Sequence, residues 1–189
     1  MKDKFLDSWL LVRNLNELKR FNIRVTLHPQ NVSSHSLSTA ILARTIAVEL
    51  NERLGMEIDP EKVLLGALVH DFEECELGDV LIPSKSKINV EYEKLEADIK
   101  ERLFTDFEIY QTLNLLEVQL IRLCDKLEGY VYCLEERDLG NLGFIAIANA
   151  YQERIENLLL QMPTSVQEHL KDWRQSIEEG LVRRAANAT

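Results

Sequence analysis

Apolar residues recur along this chain at helical spacing, and the breaks between the runs carry cap and turn residues. A first helix is predicted over about residues 3–20. A loop follows in "FNIRVTLHPQNVSS", with a turn at His28-Pro29. Ser33 or Ser34 can cap the next helix, "HSLSTAILARTIAVELNERL", which ends at Gly55. Its apolar residues, among them Ala40, Ile41, Ala43, Ile46, Ala47 and Val48, point in nearly every direction, so this helix should be largely buried. Asp59 and Pro60 are a strong start signal for a helix running through "VLLGALVHDFEEC" toward Gly78. "DVLIPSKSKINVE" then reads as a loop. Helices at about 91–104 and 108–138 follow. The second carries Leu113, Leu116, Leu120, Leu123, Leu127 and Leu134 at helical spacing, and "DLGNLG" breaks it. Helices at about 144–161 and 164–184 complete an all-α bundle, and the polar "RRAANAT" end should fray.

Composition agrees with helices. Among 189 residues, 46% are hydrophobic and 29% charged, while Gly and Pro number only 7 and 4. With no repeat, low-complexity tract or linker, residues 1–189 read as one domain. The formal net charge of −10 argues against a nucleic-acid polymer or an anionic membrane as partner. No apolar run approaches the ~20 residues of a membrane span. The N-terminus has charges inside its apolar stretch and reads as an amphipathic helix rather than a signal peptide. Three Cys with no CxxC pair (Cys75, Cys124 and Cys133) favour a reducing, cytoplasmic location.

The stretch "HDFEECELGD" changes the picture. It places His70 and Asp71 at the end of an apolar rod, where ionised groups are costly unless something neutralises them. If the helix continues, Glu74 shares their side, one turn beyond His70. His35 starts another apolar helix. Asp125 is a lone acid among Ile121, Cys124 and Tyr132, with Gly129 clearing space four residues on. Two imidazoles and two carboxylates on three apolar helices suit one divalent ion: Mn, Co, Ni, Fe or Zn. Singly, each has a blander reading. His35 suits a hydrogen-bonded helix start, His70-Asp71 an ion pair, and Asp125 a partner for Arg122 or Lys126. Their conjunction in this order favours the metal.

The order "NVSSHS", "LVHDFEE", "LIRLCDKLEGYVYCLEE" resembles the HD-domain metal-dependent phosphohydrolases, and within them the small 5′-deoxynucleotidase branch and related phage deoxynucleoside triphosphohydrolases. The resemblance runs from about Leu18 to Glu136. It implies an HD-domain bundle of about six to eight helices with His35, His70, Asp71 and Asp125 as metal ligands. It implies Glu74 as the residue holding the attacking water, and Asp79 at the sugar 3′-hydroxyl or leaving group. "KRFNI" supplies Arg20 as a phosphate clamp, with Phe21 against the sugar where the family carries Trp. "LGDVLIPSK" supplies Pro83 and Lys85, and Ile23 with Pro83 would line the base pocket.

The implied activity is hydrolysis of the 5′-phosphate ester of deoxynucleotides, with deoxynucleoside monophosphates as the leading substrate. A triphosphohydrolase using Lys87, Arg24 and Arg44 for further phosphates is the alternative, and a non-catalytic nucleotide-binding domain is a third. The two helices beyond Gly143 offer Ile145, Ile147, Ala148, Tyr151, Leu158 and Leu159 for packing or for a homodimer or larger homo-oligomer.

Overall fold

Helix boundaries fall where short polar side chains meet orphan backbone N–H groups. The computed structural model describes residues 2–79, 89–103 and 112–187. Eight α-helices lie within them: α1 Lys2–Val12, α2 Val32–Leu54, α3 Pro60–Leu68, α4 Glu74–Leu77, α5 Asn89–Leu103, α6 Leu115–Asp138, α7 Ile145–Leu159 and α8 Thr164–Asn187. Short 3-10 turns occupy Arg13–Asn16 and Leu142–Phe144. Among the described residues there is no β-strand, only a single bridge between Lys19 and Asn31. The all-α expectation holds.

The cap of α2 is Asn31, whose side chain accepts from Ser34 N–H, rather than Ser33 or Ser34. Gly55 ends α2 in the left-handed conformation at φ 63°, where glycine carries no Cβ penalty. Asp59 caps α3 through the N–H groups of Glu61 and Lys62, with Pro60 in its first turn. Asn114 and Glu117 form a reciprocal capping box at the start of α6. Glu117 Oε1 also accepts from Asp59 N–H at 3.0 Å, so one carboxylate ties the starts of α3 and α6 together.

The central element is α6, which packs on α2, α3, α7 and α8, while α2 also packs along α3. Ala40, Ala43, Ile46, Ala47 and Leu50 of α2 meet Leu120, Leu123, Cys124 and Leu127 of α6 in one apolar core. The burial of α2 is less complete than its apolar content suggests, since Leu37 and Ile41 are exposed. His169 of α8 bonds Glu49 of α2 at 3.1 Å. A Cβ on Gly129 would stand 2.6–2.9 Å from the Tyr151 ring of α7. The space this glycine clears on α6 is therefore filled by a tyrosine, which lets α7 close on the bundle.

The segment between α1 and α2 folds back on α6. Arg20 N–H donates to Gln30 C=O at 3.0 Å and Val32 N–H to Leu18 C=O at 2.9 Å. Glu136, fully buried, accepts from the backbone N–H groups of Leu27 and His28 and from the Asn141 amide. Tyr132 O–H donates to His28 C=O. Burial pushes the Glu136 carboxyl up, but those donors hold it below the ordinary glutamate value. This stabilisation is complete above the unfolded-state pKa of about 4.3 and disappears as pH falls through the lower folded value.

Glu136→Ala strands two backbone donors and should cost about 2–4 kcal/mol in urea unfolding. Glu136→Gln should flatten the acid limb of the stability–pH curve. Gly129→Ala should lower stability by about 1–2 kcal/mol, because overpacking against Tyr151 outweighs the gain in helix propensity.

Candidate metal centre

The helix predicted to run from Asp59 toward Gly78 does not run through. It stops at Leu68, and i→i+3 bonds from Phe72 to Val69, Glu74 to Asp71 and Cys75 to Phe72 carry the chain to α4. The break has a physical use. Consecutive residues of a helix diverge by about 100°, and the turn lets both His70 and Asp71 face the same point. His70 Nδ1 lies 2.7 Å from Ala67 C=O, on the last turn of α3. The imidazole thus donates from Nδ1 and turns Nε2 toward Asp71.

Three elements meet there. His35 projects from the first turn of α2 and is fully buried. Its Nε2 forms no hydrogen bond and lies 3.3 Å from Asp125 Oδ1 and 3.7 Å from Asp71 Oδ2. His70 Nε2 lies 3.2 Å from Asp71 Oδ2 and 4.0 Å from Asp125 Oδ1. Ligand atoms of His35, His70 and Asp71 fall within 4.8 Å of one another. Donors held about 2.0–2.1 Å from a shared ion stand about 3.0–3.4 Å apart at adjacent positions, so modest contraction accommodates a cation. Asp125 uses its other oxygen for Lys126, so its ion pair and its approach to the imidazoles coexist.

The electrostatics require positive charge at this point. Burial opposes ionisation of Asp71 and Asp125. His70 and Arg20 beside Asp71, and Lys126, His70 and Arg20 beside Asp125, still hold both carboxyls below their ordinary range. Burial also opposes a charge on His70, yet the neighbouring Asp71 and Asp125 push it up to about 9. A proton on that ring and a metal ion are alternative answers to the same field. The donor set fits a borderline divalent ion: neutral imidazole nitrogens aimed inward, each fixed through its other nitrogen, with two carboxylates.

Glu128, which sequence reasoning passed over, receives His35 Nδ1. It also accepts from Arg20 Nη1 at 3.3 Å and Gln30 Nε2 at 2.5 Å. Burial raises its carboxyl to about 7 despite Arg20 and Gln30. Its place one helical turn after Asp125, inside an apolar run, was the available signal. Arg20 is largely buried, and its charge is reinforced by Tyr151, Glu128, Asp125 and Asp71 against the effect of burial.

The remaining expected residues separate. Glu74 opens α4 and is buried, its N–H on Asp71 C=O. Asp79 Oδ2 accepts from Phe21 N–H at 2.9 Å, so this carboxylate holds the turn that follows Arg20. Phe21 takes φ 54°, a left-handed conformation costly for a bulky residue. Its ring stacks on Tyr132 at 5.3 Å and meets Phe144 edge-on, and it is 8% exposed. The ring thus packs in the core directly after Arg20. Ile23 is 70% exposed on the same loop. Pro83, Lys85 and Lys87 lie outside the described residues. Arg44 pairs with Glu61 on the exposed side of α2 and α3.

A helical bundle that gathers His, His-Asp and Asp from three elements around one point is the architecture of HD-type phosphohydrolases. The family model "5′-deoxynucleotidase YfbR-like" matches residues 9–176, and the chain belongs to that family. A 5′-deoxynucleotidase of Vibrio vulnificus is 32% identical over 155 residues, covering 75% of this chain and 74% of that one. A conserved hypothetical protein from Pyrococcus furiosus superposes with a TM-score of 0.76 at 26% identity, covering 92% of this chain and 99% of that one. The cyanophage S-2L HD phosphohydrolase DatZ, solved with dA and one catalytic Zn2+, superposes with a TM-score of 0.73 over 90% of this chain and 96% of that one. At 20% identity that likeness speaks for the fold. Among the described residues no helix is long and apolar enough to cross a membrane.

If the centre binds it, Mn2+ or Co2+ at about 100 times its Kd should add about 2.7 kcal/mol to stability. For a chain of this size that corresponds to a rise in Tm of about 5–10 °C. The shift should vanish in His35→Ala and Asp125→Asn, as read by differential scanning fluorimetry.

Proposed function

We propose that the chain is a metal-dependent 5′-deoxynucleotidase that hydrolyses the phosphate monoester of deoxynucleoside 5′-monophosphates. The observation that carries this reading is the convergence of His35, His70, Asp71 and Asp125 with Arg20 beside them, in a member of the YfbR-like family.

A divalent ion held by those four residues would supply Lewis acidity toward phosphate and acidify water. The rest falls to the chain's own groups. Arg20 offers a planar fork to phosphate oxygens. Glu74, buried beside the Asp71 turn, is suited to orient the attacking water and accept its proton. Asp79 holds the Arg20–Phe21 turn through the Phe21 N–H, and the resemblance gives it the sugar 3′-hydroxyl or the leaving group. Ile23 keeps the base contact that the sequence resemblance implies. Lys85 and Pro83 keep the substrate contacts that the sequence resemblance implies.

The choice between one phosphate and three rests on cations. Arg44 is engaged with Glu61, and the family model and relatives named 5′-deoxynucleotidase favour the monophosphate. The donor set suits Mn, Co, Ni, Fe or Zn. We take residues 1–189 as one HD-type unit, cytoplasmic in accord with its free thiols. Of the two uses expected for the apolar residues after Gly143, packing within the chain takes up most of them, and Ile145 stays exposed. Ala148 and Tyr151 are buried within the chain, and Ile147, Leu158 and Leu159 pack against its core. Exposed Val25 and Leu27 remain beside the Leu139–Ile145 corner, with Asn141 bonded to Val25 C=O.

Phosphate release should be seen with dAMP and be slower with dADP and dATP, whereas intact tripolyphosphate from dATP would replace this reading by the triphosphohydrolase. Glu74→Ala should lower kcat by about 10²–10⁴-fold while metal content stays at the wild-type level. Light scattering should give a particle above 21.9 kDa, and a monomer would reject the dimer.

A further inference from the structure

Glu128 contributes no atom to the proposed ligand set, yet it contacts two parts of the site at once. Its Oε2 takes His35 Nδ1 on one side and Arg20 Nη1, at 3.3 Å, on the other. Its Oε1 takes Gln30 Nε2 at 2.5 Å. With both oxygens engaged, the carboxylate has no free rotation. The partners come from separate pieces of chain. His35 stands on α2, and Arg20 and Gln30 stand on the loop that Arg20 N–H closes on Gln30 C=O at 3.0 Å. Glu128 itself follows Asp125 by three residues on α6, on the same helix face.

We propose that Glu128 is the positioning residue of this centre, aligning His35 Nε2 for metal coordination and holding Arg20 beside the cation. The inference rests on the metal-centre reading above and adds a role to a residue outside it. An acceptor on Nδ1 settles the tautomer, leaves the Nε2 lone pair facing Asp71 and Asp125, and raises the basicity of the ring. The same oxygen keeps the guanidinium within the field of both aspartates. Metal and phosphate sites are thereby tied to one carboxylate. A plain core ion pair between Glu128 and Arg20 would have no reason to include the histidine.

The test uses the metal-stripped full chain titrated with Zn2+ against a chromogenic chelator, with KM for a deoxynucleoside 5′-monophosphate measured beside it. Glu128→Gln, which retains an acceptor without the charge, should weaken Zn2+ binding by about 10–100-fold and raise KM. Glu128→Ala should weaken binding further. Arg20→Ala should raise KM at unchanged metal affinity, which separates the two roles. Glu128→Gln that folds, by circular dichroism, and binds Zn2+ as tightly as wild type would overturn the inference. A readout on the unmodified protein guards against a variant that does not fold. Imidazole 15N shifts should show His35 protonated at Nδ1 and metal-bound at Nε2, and the reverse assignment would overturn the inference equally. Wild-type protein that takes up no divalent ion would remove the metal-centre reading itself. Tight wild-type uptake with an indifferent Glu128 removes the present inference alone.

Discussion

Negative charge gathered in a partly shielded pocket, and the positive charge needed to hold it there, is the constraint around which this molecule is arranged. Asp71 and Asp125 lie close to two imidazoles at the seam of α2, α6 and the end of α3, with 21% and 16% of their side chains still exposed. Even partial loss of hydration penalises an unpaired carboxylate. Arg20, Lys126 and a proton on His70 each offset part of that cost. A divalent cation would answer it with a single charge centre. The chemistry proposed for the protein uses the same field, because a site that attracts a cation also polarises a phosphate drawn to it.

Around that centre the fold behaves as a support. Three glutamates on α6 are buried, and each does a different structural task. Glu117 ties the start of α3 to the start of α6, Glu128 gathers His35, Arg20 and Gln30, and Glu136 fastens the loop before α2. Buried carboxylates on a central helix would ordinarily be a liability. Here each receives N–H donors, so desolvation is offset and segments far apart in the chain are held in register. The loop that carries Arg20 is thus rigidly attached although it has almost no regular structure. Phe21 illustrates the attachment: its left-handed backbone is held by Asp79 and its ring by Tyr132 and Phe144.

The break after Leu68 is where local and tertiary demands part. Helical periodicity continues through "LVHDFEE", and an uninterrupted helix is the natural reading. Adjacent residues on such a helix cannot both reach a common point beside α2 and α6. Closing the backbone with i→i+3 bonds satisfies its polar groups while it reorients the two side chains. Periodicity does not record this, because the decision depends on atoms contributed by His35 and Asp125, 35 and 55 residues away from His70.

The all-α class, most helix positions, the caps at Asp59 and Gly55, and the short set of His and Asp able to share an ion were legible in the sequence. These depend on local propensity, periodicity and residue chemistry, which a chain carries with it. Tertiary structure alone decided that Glu128 stands behind His35, that Phe21 lies in the core, that Tyr151 fills the space beside Gly129, and that Asp79 turns to the Phe21 backbone. Each of those outcomes is a choice among partners that are all chemically acceptable. Only the packing of α2, α6 and α7 determines which partner is within 3 to 4 Å.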